Sequence, residues 1–306
     1  MNPWYTDYSE YIQKFFPGKK VQKISVNTGG SCPNRDGTIS RGGCIYCNNS
    51  SFTPGYCMSG LNITEQIEQG RRFFGRKYKD MRWLVYFQSY TTTHGYGADM
   101  LEEMISAAME AEDVEGVVIG TRPDCLPDDT LAVLAGLNRK KPLFVELGVE
   151  TLNDETLRLI NRGHSSTDSE SAIRRLAHEG IHVGTHLIMG LPGETCEDML
   201  ATVDKICRLP VDSIKFHHLQ ILKNTPLNNK WLSGEIELKL WGAEEYLDFC
   251  VKLIKRVPRH VAIERFTASA PPELVAAPKW GLKNYEFVNK LLNKIANSQP
   301  ENIKEN

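Results

Sequence analysis

Short apolar runs rich in β-branched and aromatic residues alternate, from residue 21 onward, with longer segments in which apolar residues recur at helical spacing. The runs predict six strands, at residues 21–26, 83–88, 116–121, 143–149, 182–189 and 213–219. The segments between them predict helices at residues 99–111, 128–137, 154–160, 169–178 and 197–207. This alternation is typical of βα units around a parallel sheet, and right-handed crossovers curl such a sheet into a full or partial barrel.

The length and composition of the chain favour one main domain with a terminal appendage. The 306 residues are 41% hydrophobic and 9% aromatic, which is enough to bury one large core. The sequence shows neither the charged leader and apolar run of a secretion signal nor an apolar stretch of about eighteen residues that could span a membrane. We therefore expect the eight cysteines to be reduced thiols and predict a cytoplasmic location.

Charge is distributed unevenly along the chain. Lys and Arg outnumber Asp and Glu by 12 to 6 in residues 1–82 and by 10 to 5 in residues 251–306, whereas residues 83–250 carry 14 against 27. Basic ends are compatible with a polyanionic partner, because cations neutralise phosphates and release counterions. Ordinary solvated faces explain the same distribution equally well, so both interpretations stay open.

A glycine-rich loop with three cysteines follows the first predicted strand. Cys32, Cys44 and Cys47 have the spacing C-x11-C-x2-C, and five glycines in the loop let the backbone fold around a bulky group. Three thiolates are one fewer than a [4Fe-4S] cubane has irons, so one iron would remain open to another ligand. Structural zinc is the alternative, with Cys57 as a fourth ligand, although zinc ribbons pair two CxxC turns and only one occurs here.

Four further motifs accompany this loop in the same order as in a known family. They are Gly120-Thr-Arg-Pro-Asp124, Glu146-Leu-Gly-Val-Glu150-Thr, Asn161-Arg-Gly-His164 and Met189-Gly-Leu-Pro-Gly-Glu194. With the loop, they resemble radical S-adenosylmethionine (SAM) proteins, and within these the YhcC/YtqA group, relatives of the catalytic subunit of Elongator that lack its acetyltransferase domain. The resemblance covers roughly residues 15–285.

The resemblance implies the fold class and its division along the chain. We expect an α/β fold in the form of a partial (β/α)6 TIM-type barrel of the radical SAM kind. Residues 1–20 are expected to form an N-terminal extension and residues 21–225 the barrel core. Residues 226–306 are expected to form a C-terminal extension of helices and strands that packs on the barrel.

The resemblance also implies the cofactors and the residues that hold them. Cys32, Cys44 and Cys47 are expected to bind one [4Fe-4S] cluster, whose open iron SAM chelates. The residues expected to contact SAM lie at the ends of four predicted strands or follow them, and they are Gln88, Ser89, Tyr90, Thr121, Glu150, Arg162, His186, Gly190, Leu191 and Pro192. Among these, Glu150 and Arg162 would hold the ribose and the carboxylate, which suits a carboxylate acceptor and a bidentate guanidinium.

The implied reaction is reductive cleavage of SAM to methionine and a 5'-deoxyadenosyl radical, with an electron donor such as flavodoxin or ferredoxin. Members of the group resemble enzymes that act on the wobble uridine of tRNA, which here suggests conversion of 5-carboxymethylaminomethyluridine to 5-aminomethyluridine. The residues nominated for the substrate side are His217, His218, Glu264 and Arg265, the last two at a seventh strand position, together with Arg71 and Arg72. Arg71 and Arg72 belong to a segment that mixes cations with aromatics, as RNA-contacting helices often do.

Purely structural roles remain as alternatives for these residues. Either histidine could be a satisfied core side chain, and the basic segment could be a helix with its aromatics in the core and its cations in water. A radical SAM enzyme that acts on a protein or a metabolite, and a zinc-stabilised binding module, remain as other functional classes.

Overall fold

The computed structural model describes residues 2–57, 60–75 and 80–297. Eight parallel strands form its main sheet, in the order β1-β9-β7-β6-β5-β4-β3-β2. Their bounds are β1 Thr6–Asp7, β2 Lys20–Val26, β3 Met81–Phe87, β4 Val114–Thr121, β5 Leu143–Glu150, β6 His182–Met189, β7 Ser213–His218 and β9 Ala262–Arg265. A small antiparallel pair joins β8 Ile221–Leu222 to β10 Val275–Ala277.

Helices connect successive strands and pack against the sheet. Those in the described residues are α1 Tyr8–Gln13, α2 Pro33–Asp36, α3 Ile63–Gly75, α4 Ala98–Glu110, α5 Asp128–Asn138, α6 Asp154–Leu159, α7 Ser166–His178, α8 Cys196–Cys207, α9 Pro226–Leu232, α10 Ala243–Arg256 and α11 Asn284–Asn297, and a 3₁₀ turn spans Asn49–Ser51. The central strands are almost wholly buried because helices cover one face and the barrel interior the other. None of these helices is long and apolar enough to cross a membrane.

The predicted α/β fold is confirmed, and all six predicted strands are present with bounds that differ by at most two residues. The sheet is wider than a six-stranded one, because β9 and β1 extend it beyond β7. Glu264 and Arg265 lie on β9 and so occupy the seventh position, whereas the eighth strand comes from the N-terminal segment. β1 has two residues and β9 has four, too few to show an alternating pattern. The division at residues 20 and 225 stays a prediction.

Curling of the sheet brings its two edges together. Lys23 lies on the edge strand β2 and Glu264 on β9 near the opposite edge, yet the Lys23 Nζ and Glu264 Oε2 atoms are 2.9 Å apart. The interior therefore forms a barrel across which side chains from distant strands meet. Helix α1 packs where the strands begin, since Tyr11 contacts the rings of Phe144 and His182 at the starts of β5 and β6.

Candidate active site

A cavity of about 790 Å³ lies at the carboxyl ends of the parallel strands. In parallel α/β folds this end carries the chemistry, because the loops that follow the strands converge there. The predicted site residues that line the cavity are Cys32, Cys44, Cys47, Gln88, Tyr90, Thr121, Glu150, Arg162, His186, His217, His218 and Arg265. Sequence reasoning therefore placed most of its nominated residues at one site.

The three loop cysteines all reach the cavity wall. Cys32 precedes the short helix α2, and a tight turn joins Cys44 to Cys47, whose backbone N–H donates to the Cys44 carbonyl at 3.0 Å. Burial raises the pKa of the Cys47 thiol to about 11, and the neighbouring Cys44 adds to the rise. Arg35 opposes that rise, and it also donates to the Cys47 carbonyl at 3.2 Å.

Asn34 and Arg162 surround Cys44 with hydrogen-bond donors. The Asn34 amide lies 3.6 Å from the Cys44 sulfur, and Arg162 Nη1 lies 3.5 Å from it. Asn34 also donates to the carbonyls of Asn161 and Arg162, which ties the cysteine loop to the segment after α6. Hydrogen bonds to the sulfurs that bind an iron–sulfur cluster are one of the features that set its reduction potential.

The donors at this wall suit an iron–sulfur cluster. Cubanes bind their thiolates through separate irons, and Cys32, Cys44 and Cys47 all line this one cavity. The buried Thr91 hydroxyl and Arg162 Nε have no hydrogen-bond partner, so a bound group would give them one. Cys57 stands apart, since its thiol donates to the Ser25 carbonyl at 3.0 Å and does not line the cavity.

Glu150 and Arg162 meet at the end of β5. Arg162 Nη2 donates to the Gly148 carbonyl at 2.6 Å and lies 3.5 Å from Glu150 Oε1. A Cβ atom at Gly148 would lie 2.7 Å from Arg162 Nη2 and 2.9 Å from Glu150 Oε1, so a larger residue there would displace the ends of these two side chains. Glu150 has φ +68°, a strained conformation for a residue with a side chain, and strain of this kind is concentrated at functional sites.

The segment after β3 contributes two of its three nominated residues to the cavity. Gln88 Oε1 accepts from the Ser25 hydroxyl at 3.1 Å, and Tyr90 is 40% exposed with the Arg35 guanidinium 5.6 Å from its ring centroid. Ser89, in contrast, is buried and does not line the cavity. The side chain of Thr121 shares a 2.5 Å hydrogen bond with Thr93.

The turn after β6 differs from the expectation. Gly190, Leu191 and Pro192 do not line the cavity. Gly190 faces an indole instead, because a Cβ atom there would lie 2.7 Å from Trp241 Nε1, and Leu191 is buried in a separate apolar cluster with Ile45. Their contact with adenosine stays a prediction that this arrangement of the described residues does not support.

Four ionised side chains inside the barrel form what we call the charge quartet: Lys23, Glu146, Lys215 and Glu264. Each lysine lies near both glutamates, with N–O distances of 2.5 and 2.9 Å for Lys23 and 3.1 Å twice for Lys215. Burial by itself would raise the pKa of Glu146, but Lys215 and Lys23 hold it well below the usual value. Sequence analysis missed Lys23, Glu146 and Lys215 as site residues, although charges within buried strands were the available signal.

His186 and His217 continue from the quartet toward the cavity. His186 Nε2 lies 2.6 Å from Glu146 Oε2, and burial, with Lys215 nearby, lowers the pKa of His186. His217 lies 3.2 Å from Arg265 Nη2. His218 is held differently, because it stacks on Trp280 with ring centroids 3.9 Å apart, and burial lowers its pKa to about 3.

Arg71 and Arg72 lie on α3, outside the cavity lining. Arg71 pairs with Glu68 at 2.6 Å. The aromatics of this helix divide, since Phe73 is 63% exposed whereas Phe74 packs near Trp83. Residues 76–79 of the same basic segment lie outside the described residues. The structure therefore does not bring Arg71 and Arg72 to the site that the other nominated residues share.

Comparisons with known proteins show the family of this chain. The model of the radical SAM superfamily matches residues 26–206, and that of the radical SAM C-terminal domain matches residues 211–297. The chain is 32% identical to YtqA of Bacillus subtilis over 96% of its length and 90% of the relative's. It is 36% identical to YhcC of Escherichia coli over 86% of its length and 83% of the relative's.

More distant similarities extend to tRNA-modifying proteins. A tRNA uridine(34) acetyltransferase of Methanocaldococcus jannaschii is 27% identical over 70% of this chain and 39% of its own length. The solved structure of Methanocaldococcus infernus Elp3 with an N-terminal deletion superposes with a TM-score of 0.65 at 20% identity, covering 91% of this chain and 63% of that one, which shows a shared fold. From the family models and the YtqA and YhcC relatives, this chain belongs to the radical SAM superfamily, in the YhcC group, a family that uses a [4Fe-4S] cluster and SAM.

Proposed function

We propose that this radical SAM enzyme remodels a 5-substituted wobble uridine in tRNA, converting 5-carboxymethylaminomethyluridine to 5-aminomethyluridine. The observation that carries the proposal is the sequence similarity to a tRNA uridine(34) acetyltransferase, which extends over 70% of this chain. The chain spans 39% of that relative's length, so the similarity supports a shared tRNA substrate and not the acetyl transfer.

The positions of these residues at the cavity wall support the cofactor roles that we propose for them. Cys32, Cys44 and Cys47 would hold the cluster, Arg162 would bind the SAM carboxylate, and Glu150 would accept hydrogen bonds from the ribose hydroxyls. When bound, the cluster and SAM would supply a radical that removes a hydrogen atom from the carboxymethyl carbon next to the nitrogen. Loss of one further electron to the cluster would give a C=N bond, which water would cleave to leave the 5-aminomethyl group and release the two carbons as glyoxylate. SAM would be the oxidant, since it ends as methionine and 5'-deoxyadenosine. The chain's own part is to orient the reactants and exclude water, which suits the buried setting of Arg162 and Cys44. A flavodoxin or ferredoxin supplies the electron.

The lining of the cavity suits an unstacked base. Tyr90 and Phe52 both line it and are 40% and 39% exposed, and Arg35 lies beside the Tyr90 ring. Proteins that bind single-stranded RNA stack splayed bases on aromatic rings and guanidinium planes and neutralise nearby phosphates with cations. A wobble nucleotide lies in the anticodon loop, where bases are available to be turned outward.

The test is mass spectrometry of tRNA nucleosides from a strain that lacks this protein, complemented with wild type, Cys44→Ser or Cys57→Ser. We expect wild type and Cys57→Ser to restore 5-aminomethyluridine, whereas Cys44→Ser leaves the carboxymethylated nucleoside. Iron and sulfide analysis of the purified proteins should show a cluster in Cys57→Ser and its loss in Cys44→Ser, because Cys57 hydrogen-bonds to Ser25 away from the cavity.

Two results would contradict parts of the proposal. An unchanged nucleoside profile in the deletion strain would point to a protein or metabolite substrate. Loss of iron in Cys57→Ser but not in Cys44→Ser would show that the cluster is held by other cysteines.

A further inference from the structure

The interior of the barrel contains one cation more than its carboxylates neutralise. The charge quartet balances two lysines against two glutamates at N–O distances of 2.5–3.1 Å. Arg265, next to Glu264 on β9, adds a fifth ionised group that faces the same interior. The register of β9 against β7 is irregular here: Ile263 lies opposite Ile214 and Arg265 opposite Lys215. Such a bulge re-aims side chains, which explains how Glu264 and its neighbour both reach the barrel.

Arg265 differs from two other arginines of the cavity, Arg122 and Arg162, which have carboxylate partners. Arg122 pairs with Asp124 at 2.7 Å, and Arg162 lies 3.5 Å from Glu150. Within the described residues, no carboxylate forms an ion pair with Arg265. Its Nη1 donates to the Ser269 hydroxyl at 3.1 Å and its Nη2 lies 3.2 Å from His217, but its buried Nε has no partner.

The groups around Arg265 do not supply the missing negative charge. Burial, followed by the positive charge of Arg265, holds the pKa of His217 well below its usual value, so the imidazole is neutral. Ser269 is neutral as well. Burial also lowers the pKa of Arg265 itself, although Glu264 acts against that effect. A partly desolvated cation without a counter-charge is unfavourable, and an anionic ligand group would relieve it.

The planar guanidinium indicates which anion fits, because such a group binds carboxylates through pairs of its N–H donors. In Arg265 the Nε atom has no partner, while Nη1 and Nη2 contact the neutral Ser269 and His217. The SAM carboxylate already has a proposed partner in Arg162, which donates to the Gly148 carbonyl on β5, and β7 and β6 separate β5 from β9 in the sheet. Arg265 is therefore available to bind a carboxylate of the substrate.

We infer that Arg265, oriented by His217 and Ser269, binds a carboxylate on the substrate's substituent. The inference rests on the proposed function, in which the wobble uridine carries a carboxymethyl group. It assigns to Arg265 the choice between substituents that end in a carboxylate and those that do not.

The experiment compares ligands that differ only in that charge. Holoenzyme prepared without oxygen is titrated with an anticodon stem-loop RNA that carries 5-carboxymethylaminomethyluridine at the wobble position, or its methyl ester. We expect wild type to bind the carboxylate form roughly 10-fold to 100-fold more tightly, the range for a lost charge-assisted contact. In Arg265→Gln this ratio should fall to near unity, and in Arg265→Lys it should be intermediate because the charge remains without the planar edge.

Arg174→Gln is the matched control. Arg174 is an exposed arginine on α7, 3.9 Å from Glu170, and its replacement should leave the ratio unchanged. Circular dichroism melting of each variant checks that it folds. A carboxylate preference that survives in Arg265→Gln, or wild-type binding without any preference, would overturn the inference and leave the tRNA proposal standing.

The free nucleoside and its ester separate the two proposals. If wild type binds no RNA but prefers the nucleoside carboxylate, and Arg265→Gln loses that preference, the role of Arg265 as the carboxylate-binding residue stands and the tRNA proposal fails. If neither the RNA nor the nucleoside binds with a preference for the carboxylate, the role inferred for Arg265 is wrong.

Discussion

Two lysines and two glutamates neutralise one another inside the barrel, and they come from four different strands. Lys23 lies on β2, Glu146 on β5, Lys215 on β7 and Glu264 on β9, so the charge quartet connects elements far apart in the sheet. Removing one member of a buried ion pair leaves the other uncompensated, which costs more than the pair contributed. The quartet should therefore behave as a unit when its members are replaced.

Lys215→Met should destabilise the protein strongly, because Glu146 and Glu264 would then share a single lysine. We expect a loss of about 3–5 kcal/mol, which corresponds to a fall in melting temperature of roughly 6–15 °C. The double variant Lys215→Met/Glu264→Gln restores neutrality and should melt above the single variant. Circular dichroism melting measures both effects.

The control for this prediction is an exposed pair. Lys239 lies 2.9 Å from Glu245 and is 77% exposed, so Lys239→Met should leave the melting temperature close to that of wild type. Equal melting temperatures for Lys215→Met and Lys239→Met would show that the quartet does not act as described.

At the scale of elements, the turn between β6 and α8 is shaped by glycines with positive φ. Gly190 has φ +93° and Gly193 has φ +84°. The two differ in their surroundings, since a Cβ atom at Gly190 would lie 2.7 Å from Trp241 Nε1 whereas one at Gly193 would have its nearest neighbour at 3.8 Å. Backbone conformation restricts both positions, but packing restricts only Gly190.

Gly190→Ala should therefore cost more stability than Gly193→Ala. The left-handed conformation costs about 1–2 kcal/mol in either variant, and the clash with Trp241 adds about 1–3 kcal/mol at Gly190 alone. Thermal melting of the two variants side by side measures the difference. Shifts of the same size would mean that the indole moves aside without cost.

Sequence patterns predict the bounds of strands and helices better than they predict which side chains of distant elements are in contact. β6 was predicted at its observed bounds, because eight residues flanked by helical segments give a clear signal. β1 was not predicted, because its pairing depends on how the sheet curls and not on its own two residues, whereas the strand position of Glu264 and Arg265 on β9 came from the family resemblance. The family resemblance implied that Cys44 and Arg162 share one site, but no local pattern states that Lys215 meets Glu146, 69 positions away.

At the scale of the whole molecule, the N-terminal segment closes the end of the barrel opposite the cavity. β1 pairs with β9, and Lys23 Nζ lies 4.5 Å from the centroid of the Tyr8 ring. Tyr11 and Ile12 are buried in an apolar cluster that includes Phe144 at the start of β5. The segment therefore covers both a sheet edge and the interior beneath the charge quartet.

Deleting residues 2–13 should lower the melting temperature substantially. Tyr5, Tyr11 and Ile12 are each at most 6% exposed. Burial of such side chains contributes about 1.5–3 kcal/mol apiece, so we expect a fall of roughly 10 °C or more. Ser9→Ala, at an exposed position of α1, should change the melting temperature little. A truncated protein that melts with wild type would show that this segment is dispensable for the barrel.

The position of the N-terminal segment also has a consequence for the access of ligands to the cavity. Because that segment covers the end of the barrel opposite the cavity, small and large ligands would both enter through the opening at the carboxyl ends of the strands. A cofactor bound near Cys44 would then lie beneath a macromolecule that is bound across this opening. The smaller molecule would then have to arrive first and depart last.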